Sequence, residues 1–146
     1  MASRAEVEAA FKRYLAVGAY GRDWNAWADL FSADATYYEV QYGTFQGREA
    51  IRKWITGVMA GVPDMYFPPV KWQLIDADQV VFCIDNAYPD PATPGGPPIA
   101  FPSITYLQYR DGFWIREEDV YDVRASLQAR AAFRAAGGNA APATVE

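Results

Sequence analysis

Not one histidine occurs in this 146-residue chain. Proton transfer near pH 7 must therefore fall to carboxylates, tyrosines or the single cysteine, Cys83. Three stretches offer carboxylates in strand-like surroundings. Alternation along 36–42 puts Tyr37, Glu39 and Gln41 on one face and Thr36, Tyr38, Val40 and Tyr42 on the other. Along 113–121 the same rule groups Phe113, Ile115, Glu117, Asp119 and Tyr121 against Trp114, Arg116, Glu118 and Val120. Asp85 stands mid-strand among Val80, Val81, Phe82 and Ile84, where an unpaired acid is unfavourable. Burial raises a carboxyl pKa and a neighbouring like charge raises it further, so one carboxyl of such a group stays protonated near neutrality. Two carboxyls with separated pKa values make a general acid and a general base.

Each candidate also has a plainer reading. A bulge that shifts the register by one residue would turn Glu117 and Asp119 to solvent. Glu39 could be a structural partner of Arg48 or Arg52, Asn86 could mark a bulge beside Asp85, and Cys83 could be a small buried hydrophobe. Gly-rich phosphate loops, nucleophile elbows and zinc-ligand spacings are absent from the sequence, so no cofactor and no metal are expected. The net charge is −5 and there is no basic run, which argues against nucleic acid as a partner. One cysteine allows no internal disulfide and fits a reducing, cytoplasmic setting. The first ten residues lack the apolar stretch of a signal peptide, and no segment approaches the ~18 apolar residues of a membrane span. Aromatics reach 16%, enough to line a pocket as well as fill a core.

The elements that must position these groups follow from periodicity and punctuation. Ser3-Arg4-Ala5-Glu6 has capping-box spacing, and Val7, Phe11, Tyr14, Leu15 and Gly18 recur at helical intervals up to a stop near Gly18 or Gly21. Asp23 can cap a short helix that buries Trp24, Trp27, Leu30 and Phe31. A strand over 35–42 is followed by a turn bracketed by Gly43 and Gly47, then a helix over 48–59 with Ile51, Trp54, Ile55, Val58 and Met59 on its inner side. Strands are predicted over 70–75 and 79–88, joined at Asp76-Ala77-Asp78, and over 99–109 and 113–121, joined at Arg110-Asp111-Gly112. Residues 89–98, with five prolines and two glycines, read as a loop whose ends lie at the rim of the sheet. A last helix covers 122–136, and the tail from 137 to 146 is expected to be disordered. The sum is one α+β domain over residues 1–136, with helices gathered on one side of a curved, mostly antiparallel sheet.

That element order, with Asp23-Trp24-Asn25-Ala26-Trp27-Ala28-Asp29-Leu30-Phe31-Ser32-Ala33-Asp34-Ala35-Thr36 and Gly47-Arg48-Glu49-Ala50-Ile51, resembles the SnoaL-like branch of the nuclear-transport-factor-2-like superfamily over roughly residues 5–125. The resemblance implies a cone-shaped sheet whose concave face, closed on one side by the N-terminal helices, lines a pocket. Comparison with ketosteroid isomerase sets Glu39 at its general-base carboxylate, Tyr14 near its oxyanion-binding tyrosine and Thr105 where it has a protonated aspartate. Comparison with limonene-type epoxide hydrolases matches Tyr37 and Glu39 to residues that hold the nucleophilic water and Asp119 to a catalytic aspartate. The arginine and second aspartate of those enzymes would lie near Asp85 and Ala87, so the arginine has no counterpart. Glu39, Asp85, Glu117 and Asp119 are thereby expected on the inner face, with Glu39 and Asp119 as the working acid–base pair and Tyr14 or Tyr37 donating to a substrate oxygen; the two acids facing each other across the cavity would favour an enzyme over a binder. Trp27, Gln41, Trp54, Cys83, Phe101, Thr105, Glu117 and Tyr121 are the expected ligand contacts.

Three functions are compatible with this reading: a cofactor-independent isomerase, dehydratase or cyclase acting on an apolar oxygenated molecule such as a steroid, terpenoid or polyketide; an epoxide hydrolase-like enzyme; and a non-catalytic binder of a hydrophobic small molecule. The outward face of the last hairpin, with Ile104, Tyr106, Trp114 and Val120, points to a homodimer.

Overall fold

The computed structural model describes residues 1–143. Helix α1 (Arg4–Val17) starts at Ser3, whose hydroxyl accepts the Glu6 N–H at 3.2 Å. It buries Val7, Phe11, Tyr14 and Leu15. Asp23 caps α2 (Trp24–Ala28) by accepting the Ala26 N–H at 3.0 Å, and Trp27 turns inward from it. Gly18 makes that possible, because a Cβ there would lie 2.3 Å from Trp27 Cδ1.

Strand β1 (Phe31–Glu39) begins four residues before the predicted start, and the Gly43–Gly47 stretch, read as a turn, contains a short edge strand, β2 (Gly43–Gln46), paired antiparallel with it. Helix α3 (Arg48–Ala60) follows and buries Ile51, Ile55 and Met59. Then come β3 (Trp72–Asp76), β4 (Gln79–Tyr88), β5 (Ile99–Arg110) and β6 (Phe113–Val120), and α4 (Val123–Ala135), capped by the Asp122 carboxylate. The strands form one sheet in the order β2-β1-β6-β5-β4-β3, antiparallel except where β1 runs parallel to β6. The sheet curves without closing, and α1, α2 and α3 pack into its concave side. Asp111 and Gly112, both at positive φ, make the β5–β6 turn that the Asp-Gly pair predicts.

One irregularity reorganises the end of the sheet. Tyr109 pairs with Trp114 but Gln108 pairs with Arg116, so Ile115 is an extra residue on β6. The bulge swaps the faces around it. Trp114, expected outside, is buried against Tyr14 and Tyr109, and Phe113, expected inside with the carboxylates, lies exposed beneath the Arg48 guanidinium. Beyond the bulge Glu117 and Asp119 face inward as expected. The chain after α4 folds back: Ala141 N–H donates to Gly61 O at 2.7 Å, and Ala140 packs on the core. The expected disordered tail also includes residues 144–146, which lie outside the described residues. No described helix is long and apolar enough to cross a membrane.

Candidate functional site

Register alone lines up the site. Tyr37, Glu117 and Leu107 sit side by side on β1, β6 and β5, and Glu39, Asp119 and Thr105 form the next inward-facing row. Neighbouring strands lie about 4.8 Å apart, so the three acids fall within one small patch of the concave face. Glu39 and Asp119 are therefore lateral neighbours on adjacent strands and do not face each other across the cavity. α1 then lowers Tyr14 onto the lower row.

Hydrogen bonds tie the patch together. Tyr14 and Tyr37 both donate toward Glu117 Oε1, at 2.7 and 2.9 Å, and the Tyr37 hydroxyl also contacts Asp119 Oδ2. Thr105 donates to Asp119 Oδ1 at 2.7 Å. Glu117 is 1% exposed, and its Oε2 meets no donor among the described residues. Burial, then the charge of Asp119, pushes the Glu117 carboxyl well above the ordinary range, against the opposing pull of the Tyr14 hydrogen bond. Burial also raises Asp119, though its bonds to Thr105 and Tyr37 oppose the shift. Burial and mutual repulsion thus favour a shared proton on the pair, and Glu117 is the more strongly raised of the two. Both tyrosines are pushed up as well, by burial and the adjacent acids, and stay protonated as donors. Their hydroxyls serve the carboxyls, which replaces the expected role of donor to a substrate oxygen.

Glu39 is set apart from that pair by its own partners. Only 3% exposed, it accepts the N–H groups of Gln41 at 3.1 Å and Tyr42 at 2.9 Å, where the chain leaves β1. Burial raises its pKa to about 7, with the Tyr121 hydroxyl and the two N–H groups restraining the rise and the Asp119 charge adding to it. It is not held by an arginine. Arg48 donates to Phe31 O at 2.7 Å, and Arg52 is engaged by Asp29, Glu49 and the Asn25 carbonyl.

The cavity over this patch measures about 130 Å³. Its walls include the expected Trp27, Gln41, Trp54, Phe101, Thr105, Glu117 and Tyr121 together with Tyr14, Tyr37, Glu39 and Asp119. Two expected residues are elsewhere. Asp85 and Cys83 point to the opposite, convex side of β4, because Phe82, Ile84 and Asn86 take the inward positions of that alternation. There Asp85 pairs with Lys71 at 2.8 Å, and Cys83 is a buried free thiol. The proline-rich loop reaches the cavity only through its flanks, Tyr88 and Phe101. Sequence reasoning missed the contribution of α4, Ser126 and Arg130, and that of Asn86 and Ser103. The spacing of Ser126 and Arg130, one helical turn apart, was the available signal for the first two.

An open sheet with helices in its concavity and an acid-floored aromatic cavity defines the class of cone-shaped, nuclear-transport-factor-2-like proteins. Within it, residues 8–117 match the SnoaL-like domain, and the chain belongs to that family. No curated protein matches it in sequence. Among solved structures, a protein from Catenulispora acidiphila DSM 44928 with a ketosteroid isomerase-like fold, in complex with trimethylamine, is 25% identical with a TM-score of 0.66, over 80% of this chain and 88% of that one. TerC, co-crystallised with polyporic acid, is 18% identical with a TM-score of 0.68, over 85% and 97% of the two chains. A suggested SnoaL-like polyketide cyclase from Jannaschia sp. CCS1 is 18% identical with a TM-score of 0.69, over 88% and 95%. The last two likenesses speak for the fold alone.

Proposed function

We propose that this protein is a cofactor-independent acid–base enzyme that moves a proton at a carbon next to a carbonyl in a compact, apolar, oxygenated molecule. The observation that carries the reading is the placing of two differently held carboxyls on one inward patch of the cavity: Glu39, bonded by the Gln41 and Tyr42 N–H groups, beside the Glu117–Asp119 pair tied by Tyr14, Tyr37 and Thr105, with burial raising the pKa of all three acids. Glu39 as carboxylate takes the proton from carbon, and the C–H electron pair moves into the enol system. The carbonyl oxygen meanwhile accepts the proton held by the Glu117–Asp119 pair, passed from Glu117 through Asp119, and the enol returns it to the pair when the carbonyl re-forms. Delivery of the Glu39 proton to another carbon is isomerisation, its delivery to a departing β-hydroxyl, which leaves as water, is dehydration, and attack of the enol carbon on a second carbonyl, whose oxygen takes the Glu39 proton, is cyclisation. Trp27, Trp54, Phe82 and Phe101 exclude water and press on a flat substrate.

Cavity size bears on which oxygenated molecules fit. At roughly 10–15 Å³ for each water-sized group, the enclosed part holds on the order of ten such groups. A one- or two-ring portion of a terpenoid or polyketide fits inside, and a four-ring steroid would extend through the mouth. Epoxide hydrolysis is less well supported, since the positions aligned with the arginine and second aspartate of that template hold Asp85, on the convex side, and Ala87, and no arginine stands there. Two further features complete the proposal: pairing of two copies through the convex sheet face, and residence in the cytoplasm.

The test needs no knowledge of the product. Small cyclic and aryl ketones, terpenoid enones and diketones are incubated with the protein in D₂O, and exchange at the α-carbon is followed by proton NMR. Catalysed exchange that falls by about 10²–10⁴-fold in Glu39→Gln is the expected result. Exchange that survives this substitution removes Glu39 as the base, and binding without exchange across the panel makes the protein a binder.

A further inference from the structure

We propose that Arg130, held by α4 at the cavity wall, binds a carboxylate or comparable organic anion of the ligand, so that the molecules this site takes are compact acids. The inference deepens the acid–base reading by naming the substrate class, and it rests on that reading only for what happens at the other end of the molecule.

Among the described residues Arg130 is the one cation that lines the cavity. Its neighbours there include the hydroxyls of Tyr88 and Tyr42. Among the described residues no carboxylate lies within salt-bridge reach of it, whereas Arg4 and Arg116 each have one and Arg52 has two. A half-buried guanidinium against aromatic walls is unfavourable without a counter-ion, and a ligand anion supplies one. The planar fork of the guanidinium suits two oxygens at once.

The position is fixed by packing. Phe133, on the next turn of α4, is buried and stacks on Tyr88 with ring centroids 4.8 Å apart. One turn earlier, Ser126 Oγ reaches Gln41 Oε1 at 3.5 Å, two residues from Glu39. Arg130 therefore belongs to the same cavity as the acids but to a different wall, carried by the helix and not by the sheet. The buried Nε1–H of Trp54, another cavity residue, has no acceptor among the described residues, and the Trp54 ring lies 5.9 Å from that of Tyr42. The Tyr88 and Tyr42 hydroxyls can accept from Arg130 but do not balance its charge, and the sheet carboxyls oppose any anion placed on their own side. A bifunctional ligand satisfies both walls, with its acid at Arg130, its apolar body on the tryptophans and its reactive carbon at Glu39.

Calorimetric titration of the full-length protein at pH 7.5 tests this with matched acid and amide probes: benzoate and benzamide, cinnamate and cinnamamide, 2-naphthoate and 2-naphthamide. Charge-assisted hydrogen bonds predict an acid preference of about 10–100-fold in at least one pair. Arg130→Gln should abolish that preference while leaving the amide affinity within about twofold, and Arg130→Lys should restore part of it. Acids that bind no better than their amides in every pair, failure of all probes to bind included, overturn the proposal, as does an equal loss of acid and amide in Arg130→Gln. No turnover enters the measurement. Glu39→Gln should keep the acid preference even as it stops exchange, so the two readings fail separately.

Discussion

Replacing Glu39 by glutamine should stabilise the protein, and the pH dependence of that gain reports the buried carboxyl directly. In the unfolded chain Glu39 titrates near 4.5; in the fold burial lifts it to about 7. A raised carboxyl binds more protons folded than unfolded between those values, so its contribution is fully present below pH 4.5 and is lost as pH rises through 7. At 1.36 kcal/mol for each pKa unit, the loss amounts to roughly 3 kcal/mol by pH 8. Glutamine is close in shape, still accepts a backbone N–H and never ionises. Wild type and Glu39→Gln should therefore melt together near pH 4.5 and separate steadily until the variant leads by about 10 °C at pH 8, taking about 3 °C for each kcal/mol in a chain of this size. Glu117 and Asp119 titrate in both proteins and largely cancel in the difference. Scanning calorimetry at half-unit steps from pH 4.5 to 8.5 gives the curve. A gap that stays constant with pH, or a wild type that remains the more stable at pH 8, would refute the burial argument for Glu39. The same substitution should remove proton exchange, so stability and activity move in opposite directions at this residue.

Tyr14→Phe keeps the ring among Phe11, Trp27 and Trp114 but removes a donor from the buried Glu117 carboxyl. Urea titration should show a loss of about 1–3 kcal/mol, and an unchanged midpoint would mean that the 2.7 Å contact contributes nothing. On the convex face Trp72, Cys83, Ile104 and Val120 align in one row across four strands, and Leu74, 69% exposed, sits in the next. Sedimentation at micromolar concentration should give twice the 16.3 kDa monomer mass, and Ile104→Glu should return it to one; a wild-type monomer removes the proposed pairing.

Three kinds of information in this chain are local and legible without a fold. Caps at Ser3 and Asp23, the Asp-Gly turn and the period-two pattern of β1 fix elements because each depends on residues a few positions apart. Tyr37, Glu39 and Gln41 were assignable to one face for that reason, and the family motif between 23 and 51 then fixed which way the face points. What needed the tertiary structure was anything set by register between distant strands or by where a helix docks. The extra residue at Ile115 exchanged Trp114 and Phe113 between faces, and no run of eight residues announces a bulge when its partner strand is unseen. Asp85 shares its strand with true cavity residues, and a shift of one position decides between the pocket and Lys71. Glu117 and Asp119 share a face by their spacing, but the two tyrosines that bond them arrive on α1 and β1 from positions 14 and 37, a coincidence in space that no spacing in the chain encodes. Arg130 enters the cavity for the same kind of reason: Phe133 and Tyr88 meet only after the sheet has curved, and that contact turns one face of α4 inward.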